Sequence, residues 1–333
     1  MQAAFYERTG PAREVLQVST LPDPTPGPGE LRVSLRWSGV NPSDTKLRAG
    51  VRSPALPFPR IVPHSDGMGV VDAVGAGVAP ERIGERVWVW NAAWGRAFGT
   101  SAQYVVLPQR QAVPLPAGVS DEAGACLGIP ALTALHAMLV NGGVAGRSVL
   151  VAGGAGAVGH YAVQFARLLG ARRVLTTVSS PHKAALASAA GADTVIDYRS
   201  DDVAECVREA TQGQGVDRIV EVDIAANAAL DLDVLRSGGE CVVYGSGTPQ
   251  FSLPFSPLIA KNIALQFFIV YHLDDDDRQR AVSTLGGLLE RDALVHNIAE
   301  RLPLEQIAQA HELVEQGRSV GNVVLEIPQP EAR

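Results

Sequence analysis

Two short stretches carry the residue types that could do chemistry. In "VPHSDGMG", Val62 to Gly69, His64 and Asp66 lie two residues apart between a proline and two glycines. Imidazole and carboxylate are both good zinc ligands, so this spacing raises the question of a catalytic metal. In "VLVAGGAGAVGHYAVQFARLLGA", Val149 to Ala171, an apolar β-branched run enters Gly154-x-Gly156-x-x-Gly159 and leaves as an amphipathic helix expected over Ala157–Gly170. Glycine permits a tight turn and close backbone approach, and a helix N-terminus offers free N–H groups and the positive end of its dipole. Gly154, Ala155, Gly156, Ala157, Val158 and Gly159 therefore form a cradle for the pyrophosphate of a dinucleotide.

The nucleotide can also be read. A site for NAD usually places a carboxylate on the ribose 2′-OH about 20 residues past the first glycine. No Asp or Glu occurs anywhere from Ala123 to Ala192. The second strand ends instead in "TTVSSPHK", with Ser179, Ser180 and Lys183, and Tyr198 follows the third in "VIDYRS". Hydroxyl, ammonium and phenol groups suit a 2′-phosphate, which a carboxylate would repel. NADPH is the cofactor expected.

The elements that must position these residues fall into two textures. The first 120 residues are rich in proline and glycine with short alternating runs, "ELRVSLRWSGV", "GMGVVDAVGAGV", "GERVWVW" and "SAQYVVLP", which predict a barrel-like β unit. From Asp121 to Ala260, β-branched runs alternate with helical patterns, one of them near Lys183–Ala190. That alternation predicts a doubly wound parallel sheet of Rossmann type, so the fold class is α/β. "IALQFFIVYHL", two helices and a last strand "NVVLEI" follow. The run Asp274–Asp277 reads as acidic residues on a helix N-terminus rather than as a cation site.

Composition narrows the partners. In 333 residues, 46% are hydrophobic and 19% charged, enough for two cores, and the net charge of −7 argues against nucleic acid or an anionic membrane as main partner. Three scattered cysteines form neither a disulfide framework nor a Cys₄ metal site. No apolar stretch reaches membrane-spanning length and no signal peptide is visible, so a cytoplasmic protein is expected.

Taken with "SGVNPSDTKLRAG", "LGIPALTALHAML", "GADTVIDYR", "GVDRIVEV", "LRSGGECVVYGS" and "GNVVLEI", these motifs resemble the zinc-independent, zeta-crystallin-like quinone oxidoreductases of the medium-chain dehydrogenase/reductase superfamily over nearly the whole chain. The resemblance implies a mainly β GroES-like catalytic domain, residues 1–120 and 261–333, and a Rossmann domain, residues 121–260. It implies nucleotide contacts from Asn41, Thr133, Val222, Gly245, Ser246, Phe268, Val270 and Asn322. It also implies that "ALQFFIVYHL", Ala264 to Leu273, joins the sheets of two subunits, in a homodimer or a dimer of dimers.

The zinc question can then be answered by position. Zinc-dependent members carry a cysteine where this chain has Asn41, a His-Glu pair where it has His64-Ser65-Asp66, and a further Cys or His near Gly128-Ile129-Pro130. A catalytic zinc normally takes three protein ligands, and one histidine falls short, so no metal is expected. His64 becomes a polar wall residue of the catalytic site or a hydrogen-bonded structural histidine. Asn41 and Thr133 match active-site positions; each could equally serve its own backbone, Asn41 in the turn before Pro42 and Thr133 in its helix. Lys46 stands where relatives often have tyrosine and could anchor a polarised substrate, pair with Asp44 or face solvent. Trp94, in a loop with Trp88 and Trp90, is the candidate to stack on a flat acceptor. Without a Lewis acid, the accessible chemistry is hydride delivery to an electrophilic π-system. A quinone is the leading acceptor, an enal, enone or other activated alkene the alternative, and a non-enzymatic structural protein the third reading.

Overall fold

The computed structural model describes residues 1–51 and 53–329 and divides the chain into two compact units. One comprises Met1–Pro130 with the chain from Leu288 onward; the other is Ala131–Gly287. Residues 330–333, the end of the expected catalytic-domain return, lie outside the described residues.

In the first unit, the 11-residue strand Glu30–Val40 is the hub of a 7-stranded sheet. It pairs antiparallel with Asp66–Val74 on one edge, and with Tyr104–Pro108 and Asn322–Glu326 along the other. The alternation read from sequence places Leu31, Val33 and Leu35 in the core with no exposure. The last strand lies beside the first half of the chain because Val323 pairs with Val40, directly before Asn41.

The second unit is built on six parallel strands. They lie in the order Thr194–Asp197, Arg173–Val178, Ser148–Val151, Val216–Glu221, Leu235–Val243, Ala264–Phe267. Numbered along the chain this is 3-2-1-4-5-6, whose switch point falls at the carboxyl end of Ser148–Val151. The glycine cradle follows that strand directly. Arg218, fully buried, donates to the carbonyls of Ala137, Met138 and Val140 and to Glu240. It thus satisfies the C-terminal carbonyls of the helix Leu132–Leu139, which carries Thr133.

Several boundaries differ from the sequence reading. The glycine-led helix ends at Leu168 rather than Gly170, and the Lys183–Ala190 pattern forms a helix over Pro181–Ala189. "ALQFFIVYHL" is a strand only over Ala264–Phe267, and Val270–His272 makes a 3₁₀ turn. Its partner strand ends at Val243, which sits opposite Phe267, so no further ladder is available. Because this strand pairs with Leu235–Val243, the stretch 261–287 lies in the parallel-sheet unit rather than with the β unit, and residues 121–130 lie in the β unit. The aspartates do open a helix, Asp275–Glu290, with Asp274 Oδ1 accepting the Asp277 N–H at 2.7 Å. Among the described residues, no helix is long and apolar enough to cross a membrane.

Candidate active site

In the parallel-sheet unit the cradle has the geometry its sequence demands. The helix Ala157–Leu168 makes its first intrahelical bond from the His160 N–H to the Gly156 carbonyl, so the N–H groups of Ala157, Val158 and Gly159 have no helical acceptor. A Cβ on Gly156 would meet only the Gly153 oxygen, at 3.3 Å, so the space before those N–H groups is open and a side chain would fill it. Main-chain donors facing open space at a helix N-terminus fit a pyrophosphate.

At the end of the neighbouring strand, Lys183 Nζ donates to Ser179 Oγ at 2.9 Å, and Ser180 caps the helix that carries Lys183. Tyr198 is exposed, and its main-chain N–H bonds the Val178 carbonyl, which brings it to the same strand end. The structure therefore places Ser179, Ser180, Lys183 and the Tyr198 main chain at one strand end. Val222 is exposed at the end of Val216–Glu221, and Gly245 lies against its carbonyl so closely that a Cβ would approach to 2.2 Å. Ser246 Oγ donates to the Thr248 carbonyl. Thr133 and Val270 are buried, and the Phe268 ring lies 4.6 Å from that of His136.

In the β unit, Asn41 is the N-cap of the helix Pro42–Arg48 and is nearly fully buried. Its main-chain N–H donates to Asp44 Oδ2 at 2.9 Å, and its side-chain Nδ2 donates to Asp66 Oδ2 at 2.9 Å. The same Asp66 oxygen accepts the Ile129 N–H at 2.9 Å. Burial pushes the Asp44 carboxyl up to about 7. Asp44 is thus held by Asn41, and Lys46 projects into solvent, which favours the solvated reading of that lysine. Trp94 is 38% exposed while Trp88 and Trp90 are buried, so of the three it is Trp94 that can meet a flat molecule. Asn322, expected among nucleotide contacts, directs its amide at the Asn297 carbonyl, 3.0 Å away, because it opens the last strand of this unit.

His64 has the geometry of a hydrogen-bonded histidine, one of the two readings its position allowed. It is fully buried at a φ of 76°, with Nδ1 2.9 Å from Ser38 Oγ and Nε2 2.9 Å from His311 Nε2. The protons in this chain can be assigned. Thr100 Oγ1 lies 2.5 Å from the Asp66 main-chain oxygen, which can only accept, so Thr100 donates there. Ser38 then donates to Thr100, 2.8 Å away, the His64 Nδ1–H donates to Ser38, and the His311 Nε2–H donates to His64. Both His64 nitrogens are engaged, leaving no lone pair for a metal or a substrate. His64 thereby supports the strand that carries Asp66.

Two partners escaped the sequence reading. Asp66 was weighed only as a metal ligand, and its bond to Asn41 spans 25 positions. His311 sits on the buried stripe Ile307–Ala310–His311 of the helix Ile307–Glu315, and a histidine on an apolar face was the available signal.

A β unit with an amide–carboxylate pair and a 3-2-1-4-5-6 sheet with a dinucleotide cradle define a nucleotide-dependent oxidoreductase. Comparison with known proteins narrows the class. The alcohol dehydrogenase GroES-like domain profile matches residues 27–117, and the zinc-binding dehydrogenase profile matches residues 157–286. The quinone oxidoreductase of Rattus norvegicus is 30% identical over 327 residues, covering 96% of this chain and 95% of that one. The 2-haloacrylate reductase of a Burkholderia species is 30% identical over 339 residues, covering 99% of each. The structure of Escherichia coli quinone oxidoreductase complexed with NADPH aligns with a TM-score of 0.86 at 26% identity, covering 98% of this chain and 100% of that one. The chain belongs to the quinone oxidoreductase family of the medium-chain dehydrogenase/reductase superfamily, and it is an enzyme of that class.

The histidine pair has a consequence for stability. Burial holds His64 down at about 3 and His311 well below its ordinary value, so both are neutral in the fold while the unfolded chain protonates them below about 6.5. The native state then binds fewer protons, and the stability this pair contributes is present above pH ~6.5 and lost as pH falls towards 3. Urea midpoints across that window should show this acid loss, and in His311→Gln the slope should shrink by about 1.4 kcal/mol per pH unit, the value of one proton. An unchanged slope would contradict the neutral pair.

Proposed function

We propose that this enzyme uses NADPH to reduce a quinone-type acceptor by hydride transfer without zinc. The observation that carries the cofactor assignment is Lys183 Nζ beside Ser179 Oγ at the end of the second strand, in a stretch with no carboxylate. An ammonium and hydroxyls there recognise a 2′-phosphate. The E. coli relative's complex with NADPH supports the same reading. Ala157, Val158 and Gly159 would hold the pyrophosphate with their main-chain N–H groups, and Tyr198 would flank the adenosine phosphate. The bound nicotinamide supplies the hydride.

The donor set supports metal independence. At the position a zinc would need, Asp66 faces an amide and a main-chain N–H, and the nearby imidazole is turned to Ser38 and His311. Hydride arriving at a quinone or enone leaves negative charge on its oxygen. Asn41 Nδ2 carries a second hydrogen that can answer that charge, and solvent supplies the proton. Trp94 offers a face for a flat acceptor. The Burkholderia relative, named for 2-haloacrylate, supports an activated alkene as the second reading.

Two further assignments belong to this reading. The edge strand Ala264–Phe267 has an exposed Phe267 with exposed Phe251, Phe255 and Ile259 in the same unit, which supports a homodimer or dimer of dimers. A monomer in sedimentation at micromolar concentration would contradict it. Three unpaired cysteines are compatible with the cytoplasm.

The direct test is oxidation of NADPH and NADH with quinones and with enones, by the parent and by Lys183→Ala. A lost charge-assisted contact is worth about 1.5–3 kcal/mol, so the variant should weaken NADPH roughly ten- to a hundredfold and leave NADH unchanged. Equal affinity of the parent for both nucleotides would sink the cofactor assignment. Turnover with enones alone would move the acceptor to the second reading.

A further inference from the structure

We infer that Asp66 is the positioning residue of the acceptor site, acting through Asn41. The inference rests on the reading of Asn41 as the donor to the acceptor oxygen. Asp66 is fully buried, and its Oδ2 accepts two N–H groups at once, from Asn41 Nδ2 and from the Ile129 main chain, each at 2.9 Å. An oxygen receiving two donors has no place for a proton on that side, so it acts as an acceptor only.

This fixes the rotation of the Asn41 amide. An asparagine side chain can ordinarily exchange its oxygen and nitrogen by a half-turn, and its neighbours decide which arrangement holds. Facing an acceptor, Asn41 must present nitrogen to Asp66. The two hydrogens of that nitrogen are coplanar with the amide, so binding one fixes the direction of the other. Asp66 thereby keeps the nitrogen of Asn41, rather than its oxygen, on this side of the amide, and the remaining amide hydrogen is shared between the nearby Asp44 carboxyl and, in this reading, a bound acceptor. A donor stabilises the charge that develops on a carbonyl oxygen during hydride transfer, whereas an amide oxygen in its place would repel it.

The surroundings hold the carboxylate still. Its strand is tied from behind by the Thr100–Ser38–His64–His311 chain that ends on its own carbonyl. In front, a Cβ on Gly128 would fall 2.2 Å from Asp66 Oδ1, so only glycine lets the turn before Ile129 close on the carboxylate. The titratable neighbours are Cys126, whose thiol burial and Asp66 push up, and Asp44, which holds the Asn41 main chain.

A role through Asn41 is distinguished from simple support of the fold by a double-mutant cycle on the NADPH-bound enzyme with a quinone acceptor, with melting temperature measured in parallel. Asp66→Ala should lower kcat at least tenfold with little change in KM for NADPH. On an Asn41→Ala background the same substitution should lower kcat no further, although each substitution lowers the melting point. Should Asp66→Ala not fold, Asp66→Asn enters the same cycle, and its several-fold loss in kcat must likewise vanish without the Asn41 amide. Equal losses in both backgrounds would overturn the positioning role while leaving Asn41 as donor. An Asn41→Ala enzyme with parental kcat would overturn both, and a parent that oxidises no NADPH would overturn the functional reading with them.

Discussion

A fully buried carboxyl group needs donors, and at Asp66 it is Oδ2 that draws two of them together in the β unit. Three segments remote in sequence meet there: the strand Asp66–Val74 brings the carboxylate, the start of the helix Pro42–Arg48 brings the Asn41 amide, and the turn at Gly128 brings the Ile129 N–H. Removing one of these donors would leave a buried polar group with one partner fewer, at a cost of about 1–3 kcal/mol. The site is therefore stiff because the fold needs it to be. A group held this firmly can act on a substrate without being reorganised by it.

The parallel-sheet unit solves the opposite problem. At the helix beginning at Ala157 it holds main-chain donors that have no helical acceptor and face open space. There a bound nucleotide, rather than the protein, would complete the hydrogen bonding. Arg218 performs the complementary task at the C-terminus of the helix Leu132–Leu139, where carbonyls need a donor and receive a buried guanidinium.

Local chemistry was legible in the sequence. The cradle lies within six residues, and Ser179, Ser180 and Lys183 lie within five, so strand, turn and helix place them before any tertiary contact is known. The α/β class and the parallel sheet followed from periodicity alone. What stayed hidden depends on contacts between distant segments. Asn41 meets Asp66 across 25 positions and His64 meets His311 across 247. The same histidine that invites a metal reading in "PHSDG" bonds Ser38 and a partner near the other end of the chain. The length of the last parallel strand was also out of reach, because it is set by where its neighbour stops at Val243.

We propose that the hydrogen-bonded pair of Asn41 and Asp66 stands where a metal centre would otherwise do the work. Zinc analysis of the purified protein, coupled to NADPH-dependent quinone reduction before and after exhaustive chelation, tests it most directly. The account predicts zinc well below stoichiometric and a rate that chelation leaves intact. Stoichiometric zinc, with activity lost on chelation and restored by adding the metal back, would contradict it.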